Sequence, residues 1–361
     1  MDSIERMQID IAKQHNLEET LSEPVERNLR DRLNRLQDNQ LQQLANIHNI
    51  LLTKGLPKEI IVETLYYAFT NEKVLEKPIE HCVEKEYAFL CELLESDGIV
   101  TKKYLELEKY YFLLNLGIIE INWSKHLFLF SVAEEVVETL KRIDFNKIEK
   151  KVNTSTKVND LLSSMVNLYG VVSRVDLYNT YCQYYEDVRY NQFPDVTFFV
   201  EHKYNRFKVI HTATDYMFVD AVICNDSDSN LIIDNIINNQ KNIKRKGIEL
   251  VDLLKYKNSN YFESYDKLTQ FYDLLCHDVN HAVLDRVIFD ITVCFRKGQS
   301  GFDDILDKLY ALTIDDDLKS KSQLILEDIY NNTVLWQNNG WTNNEMIIKN
   351  NLEKQGYLSI Y

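Results

Sequence analysis

The side chains that could do chemistry come first in this chain of 361 residues. The best metal-ligating spacing lies in Cys276-His277-Asp278-Val279-Asn280-His281. On a helix, His277 and His281 stand one turn apart and can reach one ion. No third ligand is evident, because Cys276 and Asp278 do not share that face, and the stretch lacks the glutamate of a HExxH protease. Two histidines without a metal are therefore expected, and no cofactor. His81 beside Cys82 is a weaker pair. Asp315, Asp316 and Asp317 look like a carboxylate cluster, but they precede an amphipathic stretch, where acids suit a helix N-terminus. There is no GxSxG, and no cysteine has an activating neighbour beyond Cys276 next to His277. Catalytic residues are not expected.

Binding chemistry is better represented. Arg27, Arg30, Arg32 and Arg35 recur through VERNLRDRLNRLQ, a spacing that could touch phosphates or form a solvated helix face with Glu26 and Asp31. Lys244 to Lys246 form a second basic face, while Lys102, Lys103 and Lys109 are offset by Glu106 and Glu108 in a stretch that does not resemble a groove reader. Near the C-terminal end, NNTVLWQNNGW puts Trp336 and Trp341 five residues apart among asparagines, around Gly340, with Thr342 positioned to cap a following helix. The pair is expected to close a core, with a binding surface as the second reading. Tyrosine, at 22 residues, suits interfaces and helical cores alike.

Charge limits what these groups can bind. The chain has 41 basic and 56 acidic residues, a net of −15, and its four segments (1–80, 81–150, 151–227, 228–361) carry −4, −4, −2 and −5. No segment has the basic footprint that phosphate-backbone binding needs, so nucleic acid is disfavoured as a partner. With 45% apolar residues, nine glycines and four prolines, the chain should be mostly helical and well packed. Six dispersed cysteines and an N-terminal stretch without an apolar core predict reduced thiols in the cytoplasm, unused sequons at Asn153, Asn225 and Asn331, and no membrane span.

The elements that position these residues are read from a repeat. Gly98-Ile-Val-Thr-Lys-Lys-Tyr-Leu105 and Gly170-Val-Val-Ser-Arg-Val-Asp-Leu177 share a G-[IV]-V-[ST]-[KR]-x-x-L pattern. Each follows a helical apolar stripe: Tyr87, Phe89, Leu90, Leu93 and Leu94 in one, Leu161, Leu162, Met165, Val166 and Tyr169 in the other. Thr101 and Ser173 are the expected caps of the next helices. Hairpins should follow in GIIEINWSKHLFLFS, turning over residues 122–125, and in VTFFVEHKYNRFKVIH, turning over residues 202–205. The predicted fold is mainly α with small β-hairpins. Tandem winged-helix-like units, 80–150 and 151–227, are flanked by an N-terminal helical region, 1–79, and a C-terminal helical bundle, 228–361. Pro57 and Pro78 are read as helix breaks, Gly298 and Gly301 as one helix junction, and IIDNIINNQKNIKRKG as a polar linker.

LYGVVSRVDLY, followed by NNTVLWQNNGWTNNEM, resembles a family of low-GC Gram-positive bacteria and their phages whose members often end in a SEC-C zinc motif. The resemblance covers roughly residues 25–346. It implies no catalytic residues, and the zinc ligands are missing, since no cysteine follows Cys294.

The function expected is a non-enzymatic regulator or adaptor acting through protein contacts. The resemblance extends it to phage and host conflict with a basic nucleic-acid-binding partner. The interaction residues would be Arg27, Arg30, Arg32, Arg35, Lys102, Lys103, Trp336 and Trp341. The alternatives are a DNA-binding regulator using the arginine-rich helix 25–37 and a metal-dependent hydrolase at His277 and His281.

Overall fold

Glu84–Glu95 is helical because Phe89, Leu90 and Leu93 recur on one buried face. It ends where Asp97 and Gly98 take positive φ, 49° and 80°, and the Gly98 N–H donates to the Leu93 carbonyl at 2.6 Å. A side chain at Gly98 would strain that backbone. In the computed structural model, which describes the chain apart from residues 1–2, 186–188, 191–192, 204–206, 213–215, 259–260, 313 and 355–361, a strand follows at once. This is β1 (Ile99–Lys102), followed by the helix Leu107–Asn115 and the hairpin of β2 (Ile119–Ser124) and β3 (Leu127–Val132). The three strands form an antiparallel sheet in the order β1-β3-β2. The hairpin turns at Lys125 and His126, both at positive φ, rather than over residues 122–125. Asn122 pairs with Leu129 instead, and the Trp123 and Phe128 rings meet at a tilt, with centroids 4.5 Å apart.

This sheet belongs to the first of two compact units, Met1–Asn159 with Pro194–Asn205. Helices Leu29–Arg35, Asp38–Ile47, Lys58–Phe69, Glu72–Ile79 and Glu134–Leu140 share one apolar core with the sheet, including Leu33, Phe69, Phe112, Phe130 and Val136. Regions 1–79 and 80–150 thus lie within one unit. Pro78 sits in the last turn of its helix rather than before it, and Pro57 caps the start of Lys58–Phe69.

The second unit is Asp160–Phe193 with Arg206–Tyr361. Leu161, Leu162, Met165 and Val166 are buried along the helix Phe145–Tyr169, which stops at Gly170, φ 73°. Then come β4 (Val171–Ser173), helix Arg174–Tyr184, and a hairpin of β5 (Phe207–His211) and β6 (Tyr216–Asp220), in the order β4-β6-β5. The two glycines play the same part. Val132 donates to the Gly98 carbonyl at 2.8 Å, and Asp220 to the Gly170 carbonyl at 2.9 Å. The chain is 65% helix with small antiparallel sheets of three strands.

Several expectations are corrected. VTFFVEH is a helix, Val196–His202, so the second hairpin lies further along the chain, at β5 and β6. Val196 and Val200 are buried one turn apart, and Asp195 accepts from Thr197 at its start, so the three-to-four spacing overrides the β-branched composition. Thr101 caps nothing: it lies in β1 opposite Leu129, and Glu106 precedes the next helix. Ser173 does cap, accepting from the Asp176 N–H at 3.0 Å. IIDNIINNQKN belongs to the helix Ser229–Asn242, because Ile233 and Ile236 line its buried face. Gly298 marks a junction, but Gly301 lies inside the helix Gln299–Tyr310, where an added Cβ would meet the Cys294 carbonyl at 1.9 Å.

Candidate functional site

His277 and His281 do not share a helix. Tyr265–Leu275 ends before His277, and His281–Cys294 begins after Asn280, whose side chain accepts from the Ala282 N–H. The Asn280 cap leaves CHDVN in the connecting turn and His281 at the start of the next helix, which removes the one-turn spacing. His281 instead pairs through Nδ1 with the Tyr272 hydroxyl at 3.0 Å, and Cys276 Sγ donates to the Asp273 carbonyl at 3.4 Å. Among the described residues no group of three His, Cys, Asp or Glu could hold a metal. Asp315 accepts from the Leu318 N–H as a helix cap, and Asp317 pairs with Lys321. Burial pushes up the thiols of Cys82, Cys91, Cys224 and Cys294, which makes them poor nucleophiles at neutral pH.

The arginine row is engaged within its own unit. Arg32 is 4% exposed; it donates to the Ser131 carbonyl and hydroxyl at 3.1 and 2.9 Å and meets Glu120 at 3.3 Å. Arg30 makes a two-pronged contact with Glu63, at 2.7 and 3.2 Å, and lies over the Tyr66 ring. Arg35 meets Glu23 and Glu26, and Arg27 donates to the Asp97 carbonyl and sits 3.7 Å from Glu134. These forks match carboxylates better than lysine would; Arg32 ties the helix Leu29–Arg35 to the sheet, and Arg30 ties it to the helix Lys58–Phe69. Lys102 pairs with Glu92 at 2.5 Å, while Lys103 is exposed.

Three stretches singled out by sequence do meet, in the second unit. A cleft of about 540 Å³ is lined by Val171, Ser173 and Asp176 from the second repeat, Ile243 and Arg245 from the basic stretch, and Asn339 from the tryptophan stretch. Met217, Ile237, Gln240 and Lys241 complete it. Trp336 lies beneath, fully buried; its Nε1 donates to the Asn167 carbonyl at 3.0 Å, and a Cβ on Gly170 would stand 2.6 Å from its ring. Gln240 Nε2 bridges the Tyr169 and Trp336 carbonyls at 2.8 Å each. Asn339, at positive φ, donates to the Ile243 carbonyl at 2.8 Å, and its carbonyl accepts from the Lys246 N–H. Trp341 is only half-buried; its Nε1 donates to the Lys244 carbonyl, and Lys246 and Lys349 lie over its ring. Thr342 caps the final helix, Asn343–Lys354, in a reciprocal exchange with Glu345.

Ser173 Oγ donates to Asp176 and accepts from its N–H, so the hydroxyl is committed to the cap. No histidine or cysteine lines the walls. Arg245 stands 3.6 Å from Asp176 and over the Tyr169 ring, whose hydroxyl burial pushes up to about 12. Cation, carboxylate, amide and apolar groups converge there, and the Ser173 hydroxyl beside the Asp176 carboxylate is held in the helix cap.

Sequence reasoning missed one buried cluster, in the first unit. Lys203 Nζ meets Glu86 at 2.5 Å with both side chains 4% exposed, and it lies 4.5 Å from the Phe112 ring centre. Burial raises the Glu86 carboxyl despite Lys203, and burial lowers the neighbouring His81 to about 4. Glu86 was legible as the third residue of a helix, where it accepts from the Val83 N–H, but nothing near Lys203 in the sequence announces its partner.

Fold and cleft together describe a mainly helical, sheet-bearing protein whose second unit carries a cleft lined by charged, amide and apolar side chains. Comparison with protein-family models, with curated proteins and with solved structures finds no match.

Proposed function

We propose that the chain is a non-enzymatic regulator or adaptor that works through protein contacts, built on two winged-helix-like units. The repeated order of helix, glycine, strand, helix and antiparallel hairpin supports the architecture. The observation that carries the function is the fate of the basic residues. Arg27, Arg30, Arg32 and Arg35 all engage oxygens of their own unit, so the row adds little positive field to a chain of net charge −15. A protein with a basic surface is the partner such a surface fits. The phage-linked resemblance adds the setting of phage and host conflict, in which a basic nucleic-acid enzyme is such a partner. The exposed Ile347, Ile348 and Leu352 of the last helix supply apolar area for a contact.

The test pairs two measurements at low salt. Immobilised protein should retain a basic protein from host lysate and release it as salt rises, while gel shifts with genomic fragments show no retention at about micromolar protein. Retained DNA, or no recovered basic partner, overturns the reading.

A further inference from the structure

The edges of the two sheets are treated differently. In the first unit the edge strand β2 is covered by the chain itself. The Leu21 N–H donates to the Ile121 carbonyl at 2.8 Å, Leu21 and Asn122 form a parallel bridge, and Asn122 Nδ2 donates to the Glu23 carbonyl at 2.9 Å. The segment is anchored just upstream by Asn16, fully buried, which exchanges hydrogen bonds with the Leu105 backbone and donates to the Tyr110 hydroxyl.

Register makes the sheets comparable residue by residue. Val132 donates to the Gly98 carbonyl and faces Ile119; Asp220 donates to the Gly170 carbonyl and faces Phe207. Ile119 therefore corresponds to Phe207, Glu120 to Lys208, Ile121 to Val209 and Asn122 to Ile210. In an antiparallel ladder a residue's N–H and carbonyl point to the same side, so Val209 turns both outward, as Ile121 does. Among the described residues, nothing pairs with the outer edge of β5. An uncovered edge is a template for another strand, and β5 has no proline to block one.

We propose that β5 is a docking edge for an extended acidic segment of a partner protein, which adds as a fourth strand parallel to β5, donates an N–H to the Val209 carbonyl and accepts from the Val209 N–H. The first sheet supplies the pattern: its covering segment, Thr20-Leu21-Ser22-Glu23, is flanked by Glu18, Glu19 and Glu26. Charge supplies the sign. Where the first sheet carries Glu120 against Arg32, the second carries exposed Lys208, whose ammonium donates to Asn225, with exposed His211 three residues on. Main-chain bonds give such a contact its affinity, and Lys208 selects for carboxylate. The contact is independent of the function proposed above, because it rests on strand register and not on net charge.

A labelled peptide of this chain's own residues 17–26, added to the full-length protein, is the probe, since its counterpart already fills the first sheet. Saturable binding at about 100 μM is expected by anisotropy, weakened about tenfold by Val209→Pro and several-fold by Lys208→Glu. Peptide should also slow amide exchange at Val209. Should Val209→Pro lose its native circular dichroism, Lys208→Glu decides. Absence of saturation, or equal binding by wild type and Lys208→Glu, overturns the proposal; so does dimerisation lost in either variant, which would seat a second copy on the edge.

Discussion

Gly170 shows how one residue can be fixed from two directions. Its φ of 73° disfavours any side chain, and the Trp336 ring occupies the place a Cβ would take, at 2.6 Å. Gly170→Ala should therefore cost about 2–4 kcal/mol in urea unfolding, combining αL strain with overpacking. A change under about 0.5 kcal/mol would mean that the ring moves aside freely. His81 makes a pH-dependent counterpart in the first unit. Burial lowers its folded pKa to about 4, below the 6.5 of an unfolded chain, with Asp195 pulling the other way. The unfolded state then binds more protons between those values. Its contribution is complete above pH 6.5 and is lost as pH falls towards 4. Melting temperature should fall across that window in the wild type and fall less in His81→Phe; parallel curves would contradict the assignment. Glu86 titrates nearby in the opposite sense, which is why the comparison is made between variants.

At the scale of elements, the segment Pro194–Asn205 is the informative one. It packs in the first unit although its neighbours in sequence, Asp160–Phe193 and residues from Arg206 onward, belong to the second. Phe198 lies against His81 and Phe112, the Asn115 amide donates to the His202 carbonyl, and Lys203 reaches buried Glu86. A buried ion pair contributes little net stability, but removing one partner strands the other charge. Lys203→Met should cost about 3–5 kcal/mol in denaturant unfolding, and adding Glu86→Gln should recover most of it. If the double variant is no more stable than the single, the apolar contacts hold the segment and the ion pair does not. The first hairpin was legible in sequence because its arms share a clear β composition on both sides of a short turn. The second was misplaced because VTFFVEH is equally β-rich, and only the burial of Val196 and Val200 on one side reveals a helix.

At the scale of the whole molecule, acidity dominates. A net charge of −15 makes any charge-guided partner contact salt-sensitive. Affinity for a basic partner should fall about tenfold between about 0.05 and 0.2 M salt, read by titration calorimetry. A flat salt response would instead point to the apolar face of the last helix, where Ile347 and Ile348 are more than half exposed.

Sequence by itself determined what short-range patterning controls: a mainly helical chain, glycine-terminated helices before strands, the Ser173, Asp315 and Thr342 caps, and the general acidity. These follow from backbone sterics and local hydrogen bonds, which act within a few residues. The tertiary structure alone decided which charges and rings remain at the surface. Arg32, read as a contact residue, is buried against Glu120, 88 positions away, and Trp336, read first as closing a core and second as a contact residue, is buried against Gly170, 166 positions away. Partners so distant in sequence leave no periodic trace. The same holds for the two sheet edges: matching motifs predicted matching strands, but only the packed chain shows one edge covered by Leu21 and the other without a pairing strand among the described residues.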